Sequence, residues 1–185
     1  APNRAEFAFG EPLRLTYAEL LAEIDRHAGA LVVAGIGQDD VLLVQLPNIS
    51  EFVELYFAAA KIGAIVSPAA VQYRIHELKG MIGVVEPKAF VCATQVKGCD
   101  HVGVAAPLLN GIALMTFGPD AHANALDLAT AKGDADALAA HVAANPVDAD
   151  DIFTICWTPV MPGVQQILKI SSASTGLAAT SAASP

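Results

Sequence analysis

The residue types best suited to nucleophilic, redox or metal chemistry are the histidines and cysteines, and their spacing assigns none of them to a site. They are His27, His76, His101, His122, His141, Cys92, Cys99 and Cys156. His76-Glu77 lacks the second histidine, four residues after the first, that a zinc protease requires. The cysteine spacings match no common zinc pattern, and Cys92 on an apolar run is predicted to be a core thiol. We expect structural or solvent-facing histidines and a reduced, cytosolic protein.

Other short motifs with known chemistry are incomplete. Gly35-Ile36-Gly37 is not a dinucleotide loop, because Asp40 holds the third glycine position and a strand rather than a helix follows. Asp148–Asp151 lacks the glycine and terminal glutamate of a calcium loop and predicts a solvated turn. The sequence contains no Gly-x-Ser-x-Gly elbow of a hydrolase. Tyr73-Arg74 is interpreted as a packing and surface pair at a turn.

Composition restricts the class of protein. The chain has 185 residues, 54% hydrophobic and 16% charged, which predicts one globular domain, with room for an appendage. A net charge of -9 argues against nucleic-acid partners, although a loop of backbone amides can bind nucleotide phosphates at any net charge. The uncharged stretch Val102–Pro119 contains Pro107 and Gly111 and changes period midway, so it predicts helix, turn and strand rather than a transmembrane segment.

Apolar periodicity divides the chain into alternating helices and strands. Thr16 and Glu19 form a capping box before the first predicted helix, and an Asn48-x-x-Glu start precedes the second. The other predicted helices are Ile75–Val85, His101–Leu109 and Asp136–Ala144, and the predicted strands are Val41–Leu46, Ala64–Ser67, Ala89–Ala93, Ile112–Phe117 and Ile152–Trp157.

Short connections between alternating helices and strands predict an α/β fold, with a layered, mostly parallel sheet flanked by helices. Right-handed crossovers make a doubly wound topology the leading one. Gly118–Asp134 is predicted to be a loop. From Ser171 the Ser/Ala/Thr-rich chain has little to bury, so we expect a flexible or poorly defined end there.

Several of these segments resemble the N-terminal subdomain of the adenylate-forming (AMP-binding) superfamily, particularly acyl-CoA synthetases and acid–CoA ligases. The similar segments are the Leu15–Leu20 opening of the first helix, Asp40–Asn48, Phe52–Ala69 with its Gly63-Ala64 turn, Val71–Arg74, and Glu77-Leu78. Their order and spacing carry the resemblance over Leu15–Thr158.

The resemblance implies a ligase that uses ATP, Mg and coenzyme A on a small-molecule carboxylic acid, such as a fatty acid, in the cytoplasm. It also implies that the substrate pocket, a ribose-contacting aspartate and a catalytic lysine of a C-terminal domain lie beyond Pro185. The identity of the acid and the oligomeric state cannot be derived from this sequence.

In this family, an acidic turn and an apolar strand lead into a phosphate loop of the form Thr-Ser-Gly-Thr-Thr-Gly-x-Pro-Lys-Gly. Its glycines and hydroxyls surround phosphate, and its lysine adds positive charge. Asp150–Thr158 supplies the lead-in, but of the next residues only Thr158 and Gly163 match; these two are the candidate cofactor-binding remnants. Pro159 and Pro162 remove two amide donors. Natural divergence, a reading-frame junction and a misassigned sequence remain open as causes.

We therefore expect residues 1–158 to form the N-terminal α/β subdomain and residues 159–185 a degenerate phosphate-loop region and tail. The leading hypothesis is a truncated ligase, inactive by itself, with no catalytic or metal-ligating residue. The alternatives are a non-catalytic α/β interaction module, which includes a degenerate paralogue, and an independent nucleotide-binding domain.

Overall fold

The chain forms a twisted α/β sheet with helices on both faces. A computed structural model describes residues 13–119, 122–160, 164–171 and 180–182. The strands are β1 Val41–Gln45, β2 Ile65–Pro68, β3 Ala89–Ala93, β4 Gln95–Val96, β5 Cys99–Asp100, β6 Ala113–Phe117, β7 Leu126–Asp127, β8 Ile152–Val160, β9 Val164–Ser171 and β10 Thr180–Ala182. The helices are α1 Tyr17–Val33, α2 Ser50–Lys61, α3 Ile75–Val85, α4 His101–Ala105 and α5 Ala135–Ala144, with a 3-10 turn at Ala106–Leu108.

Eight strands form the main sheet in the order β10-β9-β8-β2-β1-β3-β6-β7. The six strands from β8 to β7 are parallel, whereas β9 and β10 are antiparallel to their neighbours. β4 and β5 make a separate small hairpin. This architecture confirms the predicted mostly parallel sheet flanked by helices.

The core lies in two layers, one on each face of the sheet. On one face, α1, α2 and α5 pack Leu31, Leu55 and Leu138 against the sheet. On the other face, α3 and α4 contribute Leu78 and Val102. Because β1 and β3 are buried on both faces, they are apolar throughout apart from Gln45 at the end of β1. None of the helices in the described part of the chain has the length and apolarity that a bilayer crossing requires.

Several predicted boundaries are confirmed, and local chemistry explains them. The Thr16 hydroxyl accepts from the Glu19 amide at 3.3 Å, while the Glu19 carboxylate accepts from the Thr16 amide at 2.7 Å, so the capping box is present. α3 and β3 have the predicted limits. Glu86, in the left-handed region at φ 44°, ends α3 before Pro87.

Other predictions were wrong in detail. α2 begins at Ser50 with Ile49 as its N-cap and no side-chain cap, so Asn48 does not start it; Ile49 is buried instead. The predicted helix at His101–Leu109 is α-helical only to Ala105 and continues as a 3-10 turn. Gly118–Asp134 is not all loop, because β7 pairs with β6 and buries Leu128.

The carboxyl part of the chain also differs from the prediction. β8 extends beyond Trp157 to Val160, across the predicted subdomain boundary, because β9 pairs with it along its length. Thr180–Ala182 of the predicted flexible end forms β10 against β9. Residues 172–179 and 183–185 of that end lie outside the described residues.

Candidate functional site

The carboxyl ends of the parallel strands meet at one edge of the sheet, and this edge is the candidate site. β1 leads into α2 on one face, whereas β2 leads into α3 on the other. The direction of winding therefore reverses beside β1. In doubly wound sheets, ligands bind outside the carboxyl ends of strands at such a reversal.

Gln45, the last residue of β1, organises this edge. Its side chain is fully buried, and its Nε2 donates to the carbonyl oxygens of Ala70 at 2.9 Å and Tyr73 at 3.0 Å. Those carbonyls belong to the loop that follows β2. The buried amide thus fixes the loop by donating to two of its backbone carbonyls.

His101, at the start of α4, forms a hydrogen bond with the side-chain oxygen of Gln45. Its Nδ1 lies 3.1 Å from Gln45 Oε1, and its side chain is buried. Because Oε1 can only accept, we assign the hydrogen of the neutral ring to Nδ1, which leaves Nε2 as an acceptor. Burial, and then the positive charge of Arg74, lower the pKa of His101, so the ring is neutral at pH 7.

A pocket of about 220 Å³ opens beside these residues, between the loops that follow β2 and β3. Arg74, Lys97 and His101 are among the residues that line it. Arg74 Nη1 donates to the carbonyls of Val71 at 2.8 Å and Tyr73 at 2.7 Å, so its guanidinium is held in the loop. The pocket therefore carries two cationic side chains on a chain whose net charge is -9.

Thr158, one of the two predicted phosphate-loop remnants, does not line this pocket. Thr158 belongs to β8, where its backbone is in register with Gln166 of β9, and Pro159 is in register with Gln165. Gly163 lies outside the described residues. A phosphate cradle needs successive amides turned toward the anion, whereas here the strand pairing continues to Val160 and proline supplies no amide. The described part of the segment, Thr158–Val160, is paired as a strand.

A second titratable cluster lies between α1 and α2, away from the carboxyl edge. Ligand atoms of Glu23, His27 and Glu54 lie within 4.8 Å of one another, and His27 and Glu54 are buried. His27 Nδ1 is 3.7 Å from Glu54 Oε2 and has no hydrogen-bond partner. Burial, followed by the charge of Arg26, lowers the pKa of His27 to about 4.

The cation of this cluster is an arginine. Arg26 Nη2 lies 2.7 Å from Glu23 Oε2 and 2.7 Å from His27 Nε2. Because Nε2 accepts from Arg26, the ring hydrogen is on Nδ1, which then has no lone pair for a metal. Arg26 Nη1 also donates to the carbonyls of Leu128 and Ala131. The cluster is structural: it fastens α1 to the segment after β7.

Of the remaining candidates from the sequence, His141 and Cys92 have structural positions, whereas His76 and His122 are exposed. His141 Nε2 is 2.9 Å from the Ile62 carbonyl oxygen, across the α2–α5 contact. Cys92 is buried in β3, where burial raises the pKa of its thiol to about 12. Sequence reasoning missed the Gln45–His101 pair. The available signal was a single amide side chain at the end of a strand otherwise composed of apolar residues.

Comparison with known proteins identifies the family. The profile of the family described as AMP-binding enzyme matches residues 1–159. The chain is 29% identical over 176 residues to 2-hydroxy-7-methoxy-5-methyl-1-naphthoate–CoA ligase of Streptomyces carzinostaticus, covering 90% of this chain and 29% of that protein. It is 36% identical over 96 residues to pyochelin synthase PchD of Pseudomonas aeruginosa, covering 52% of this chain and 18% of that protein.

Solved structures agree with the sequence matches. ATP-bound MatB from Rhodopseudomonas palustris superposes with a TM-score of 0.67 at 28% identity, over 92% of this chain and 33% of that one. The chain thus spans less than a third of the length of the two curated relatives. With a profile match over most of its residues and the fold in agreement, the chain belongs to the AMP-binding enzyme family and corresponds to an N-terminal portion of an adenylate-forming enzyme.

Proposed function

We propose that this chain is the N-terminal part of a longer ATP-dependent ligase of the acyl-CoA-synthetase type, and that the isolated chain does not catalyse the reaction. Family membership supports the proposal that the longer protein is a ligase. The proposal that the isolated chain is inactive rests on the continuous β8–β9 pairing through Thr158–Val160, at the position where the family has its phosphate loop. The two prolines of this segment add to it, because neither has an amide to donate.

In the longer protein, the carboxylate of a small acid attacks the α-phosphorus of Mg-bound ATP and pyrophosphate leaves. The thiol of coenzyme A then attacks the acyl carbon, loses its proton, and displaces AMP. Both steps bring polyanionic substrates to the enzyme. On this chain, the pocket outside β1 carries Arg74 and Lys97, which would attract such substrates in an otherwise acidic protein.

A gain-of-binding experiment tests the phosphate-loop explanation. The chain is titrated with Mg-ATP and its thermal midpoint is followed. We expect no ATP-dependent shift in the natural chain. A saturable shift should appear when the hydroxyl, glycine and lysine positions of the family pattern are restored by the changes Pro159→Ser, Val160→Gly, Met161→Thr, Pro162→Thr and Gln166→Lys.

The matched control is the same variant with Gln166 retained, which should bind more weakly because it lacks the lysine charge. An ATP-dependent shift in the natural chain would contradict the proposal that the isolated chain lacks a phosphate site.

Ligase activity is tested on the longer protein by ATP–pyrophosphate exchange with short, medium-chain and aromatic acids. Exchange that depends on one acid class would establish adenylation and name the substrate class. Arg74→Gln with Lys97→Gln should then raise the KM for ATP or coenzyme A while leaving the KM for the acid unchanged.

The altered loop also favours a second candidate, a non-catalytic interaction module derived from the same fold. The intact mass of the source protein and its sequence from Trp157 onward distinguish the two. A protein that ends near Pro185 with the same loop residues would support the module, and a chain about three times longer with a restored loop would support the ligase.

A further inference from the structure

The side of α2 that faces solvent is apolar. All twelve residues of this helix, Ser50–Lys61, lie in the described part of the chain, and among them Val53 and Phe57 alone are exposed. Their exposed fractions are 48% and 57%. A surface helix normally turns charged or polar residues to water, and a helix that is apolar all round is normally buried.

The charged residues of α2 lie at its ends or on its buried side. Glu54 is buried, with Oε2 3.7 Å from Nδ1 of His27. Lys61, in the last turn, forms an ion pair with Asp25 of α1, and Glu51 is in the first turn. The exposed face therefore has an apolar centre and a polar margin, which is the arrangement of a protein–protein interface.

α3, on the opposite face of the sheet, shows the ordinary pattern of a solvent-facing helix. Its exposed residues include His76 and Lys79 as well as Val84, which is 50% exposed. Val84 thus matches Val53 in exposure but lies on a partly polar surface. Single apolar residues are normal on such a surface, whereas a contiguous apolar patch marks an interaction site.

Partly exposed aromatic rings extend the apolar surface from α2 to β8. The ring centroids of Phe52 and Tyr56 are 5.4 Å apart, and the Tyr56 ring is 6.5 Å from that of Phe153 in β8. All three residues are half-buried. We call these three residues, together with Val53 and Phe57, the α2 patch. Aromatic residues are enriched at protein interfaces, so the composition of the patch also fits an interface.

The topology and the length of the relatives indicate what covers the α2 patch. The patch reaches β8, and β9 and β10 continue the sheet beyond β8, so the later strands of the described chain lie beside it. The chain spans less than a third of the length of its two curated relatives, so most of such a protein lies outside it. The patch carries no charge and offers nothing to polyanionic substrates.

We propose that the α2 patch is the surface on which the remainder of the longer ligase packs, with an apolar segment of that remainder lying over Val53 and Phe57. This inference rests on the proposed function, because it requires a longer protein. It adds to that function the surface through which the N-terminal part is joined to the rest. A second copy of this chain is the competing partner, and the experiment distinguishes the two.

Two matched substitutions test the α2 patch. Val53→Lys places a charge in the patch, whereas Val84→Lys makes the same change at a valine of nearly equal exposure on α3. In the isolated chain, both variants should keep the thermal midpoint within about 2 °C of the natural value, as most surface substitutions do. In the longer protein, Val53→Lys should lower the midpoint by roughly 5 °C, because its ammonium loses water, and Val84→Lys should leave it unchanged.

Oxidation of the Phe57 ring by hydroxyl radicals, located by mass spectrometry, is a second readout. The ring should react readily in the isolated chain and lose most of that reactivity in the longer protein, because a packed interface excludes water. Sedimentation equilibrium of the isolated chain tests the second copy. A dimer that Val53→Lys dissociates would assign the patch to self-association and overturn the proposal.

The remaining outcomes separate the interface from the ligase. Equal midpoint shifts for the two variants in the longer protein, or a loss for Val53→Lys that is as large in the isolated chain, would overturn the interface. Equal reactivity of Phe57 in the two proteins would overturn it as well. ATP–pyrophosphate exchange by the same longer protein reports ligase activity independently of these results. A source protein that ends near Pro185 would instead remove both proposals.

Discussion

Gln45 Oε1 and His101 Nδ1 lie 3.1 Å apart, 56 residues apart in sequence, and both side chains are buried where β1 ends. Through the two carbonyls that Gln45 also binds, the pair connects β1, the loop after β2 and the start of α4. A buried polar group with three hydrogen-bond partners restricts the backbone more than an apolar group of the same size. Any backbone movement that breaks one of these hydrogen bonds costs free energy.

Gln45→Leu should therefore destabilise the chain far more than its change in volume suggests. The substitution leaves the buried His101 ring without its acceptor, whereas the Tyr73 carbonyl keeps Arg74 Nη1 and the Ala70 carbonyl keeps the Tyr73 amide. We expect the free energy of unfolding to fall by about 1–3 kcal/mol, the cost of one buried unsatisfied group. Urea unfolding followed by circular dichroism measures the change.

Gln72→Leu is the matched control, because Gln72 is exposed beside the same pocket. Its effect should stay within about 0.5 kcal/mol, as for most surface substitutions. Equal losses for the two variants would show that the buried hydrogen bonds of Gln45 contribute nothing specific.

The buried histidines predict that stability falls on mild acidification. The pKa of His27 is about 4 in the fold, against 6.5 for the ordinary ring, so between those pH values the unfolded chain binds a proton that the folded chain excludes. Stability is therefore complete above pH 6.5 and decreases as the pH falls toward 4, by up to about 3 kcal/mol. His101, whose pKa is also lowered, adds loss of the same sign.

The measurement is the free energy of unfolding in urea at pH 7.5, 6.5, 5.5 and 5.0, a range above the ordinary pKa of carboxyl groups. His27→Gln should lower stability at pH 7.5 and flatten the slope between pH 6.5 and 5.0. A slope that is the same in His27→Gln and in the natural chain would exclude His27 as its source.

The elements that sequence predicts best are those whose boundaries are set by local chemistry. α3 ends where Pro87 forbids its continuation, and α1 begins at the capping box of Thr16 and Glu19. The start of α2 was missed because burial of Ile49, a tertiary effect, outweighs the capping preference of Asn48. β7 was missed because a two-residue strand carries no periodicity.

The candidate site was less predictable than the fold. The resemblance to the family extends to Thr158, and the family's phosphate loop would follow directly after it. In this sequence the residues after Thr158 depart from that loop pattern, so the resemblance predicted a site in the wrong segment. Gln45 and His101 lie on different elements and meet only when the sheet forms, so no local spacing relates them. Glu54 was missed as a member of the cluster because it lies on another helix from Glu23 and His27, so no local spacing relates it to them.

Thiol reactivity should separate the three cysteines. Cys92 is fully buried, and burial raises its pKa to about 12, whereas Cys99 and Cys156 are half-exposed. Only the thiolate reacts, so a disulfide reagent at pH 8 should modify Cys99 and Cys156 in the folded chain and reach Cys92 only on unfolding. Mass spectrometry of labelled peptides with and without urea identifies the sites. Rapid labelling of Cys92 in the folded chain would contradict its buried position in β3.

Two helical glycines should respond in opposite directions to alanine. A Cβ on Gly29 of α1 would lie 2.7 Å from the Asp134 amide nitrogen and 2.9 Å from its carbonyl oxygen, both backbone atoms that cannot move independently. A Cβ on Gly83 of α3 would meet nothing within 4 Å. Gly83→Ala should therefore raise the free energy of unfolding by about 0.5–1 kcal/mol, through helix propensity and reduced freedom of the unfolded chain.

Gly29→Ala has the same propensity gain but must push α1 away from the segment that precedes α5, and overpacking of this kind costs about 1–3 kcal/mol. The net effect should be destabilising, and urea unfolding of the two variants side by side measures the difference. Both changes add the same methyl group to a helix. The difference between their free energies of unfolding therefore measures the effect of the close approach of α1 to Asp134. If Gly29→Ala proves as stable as Gly83→Ala, that approach is not part of the folded structure in solution.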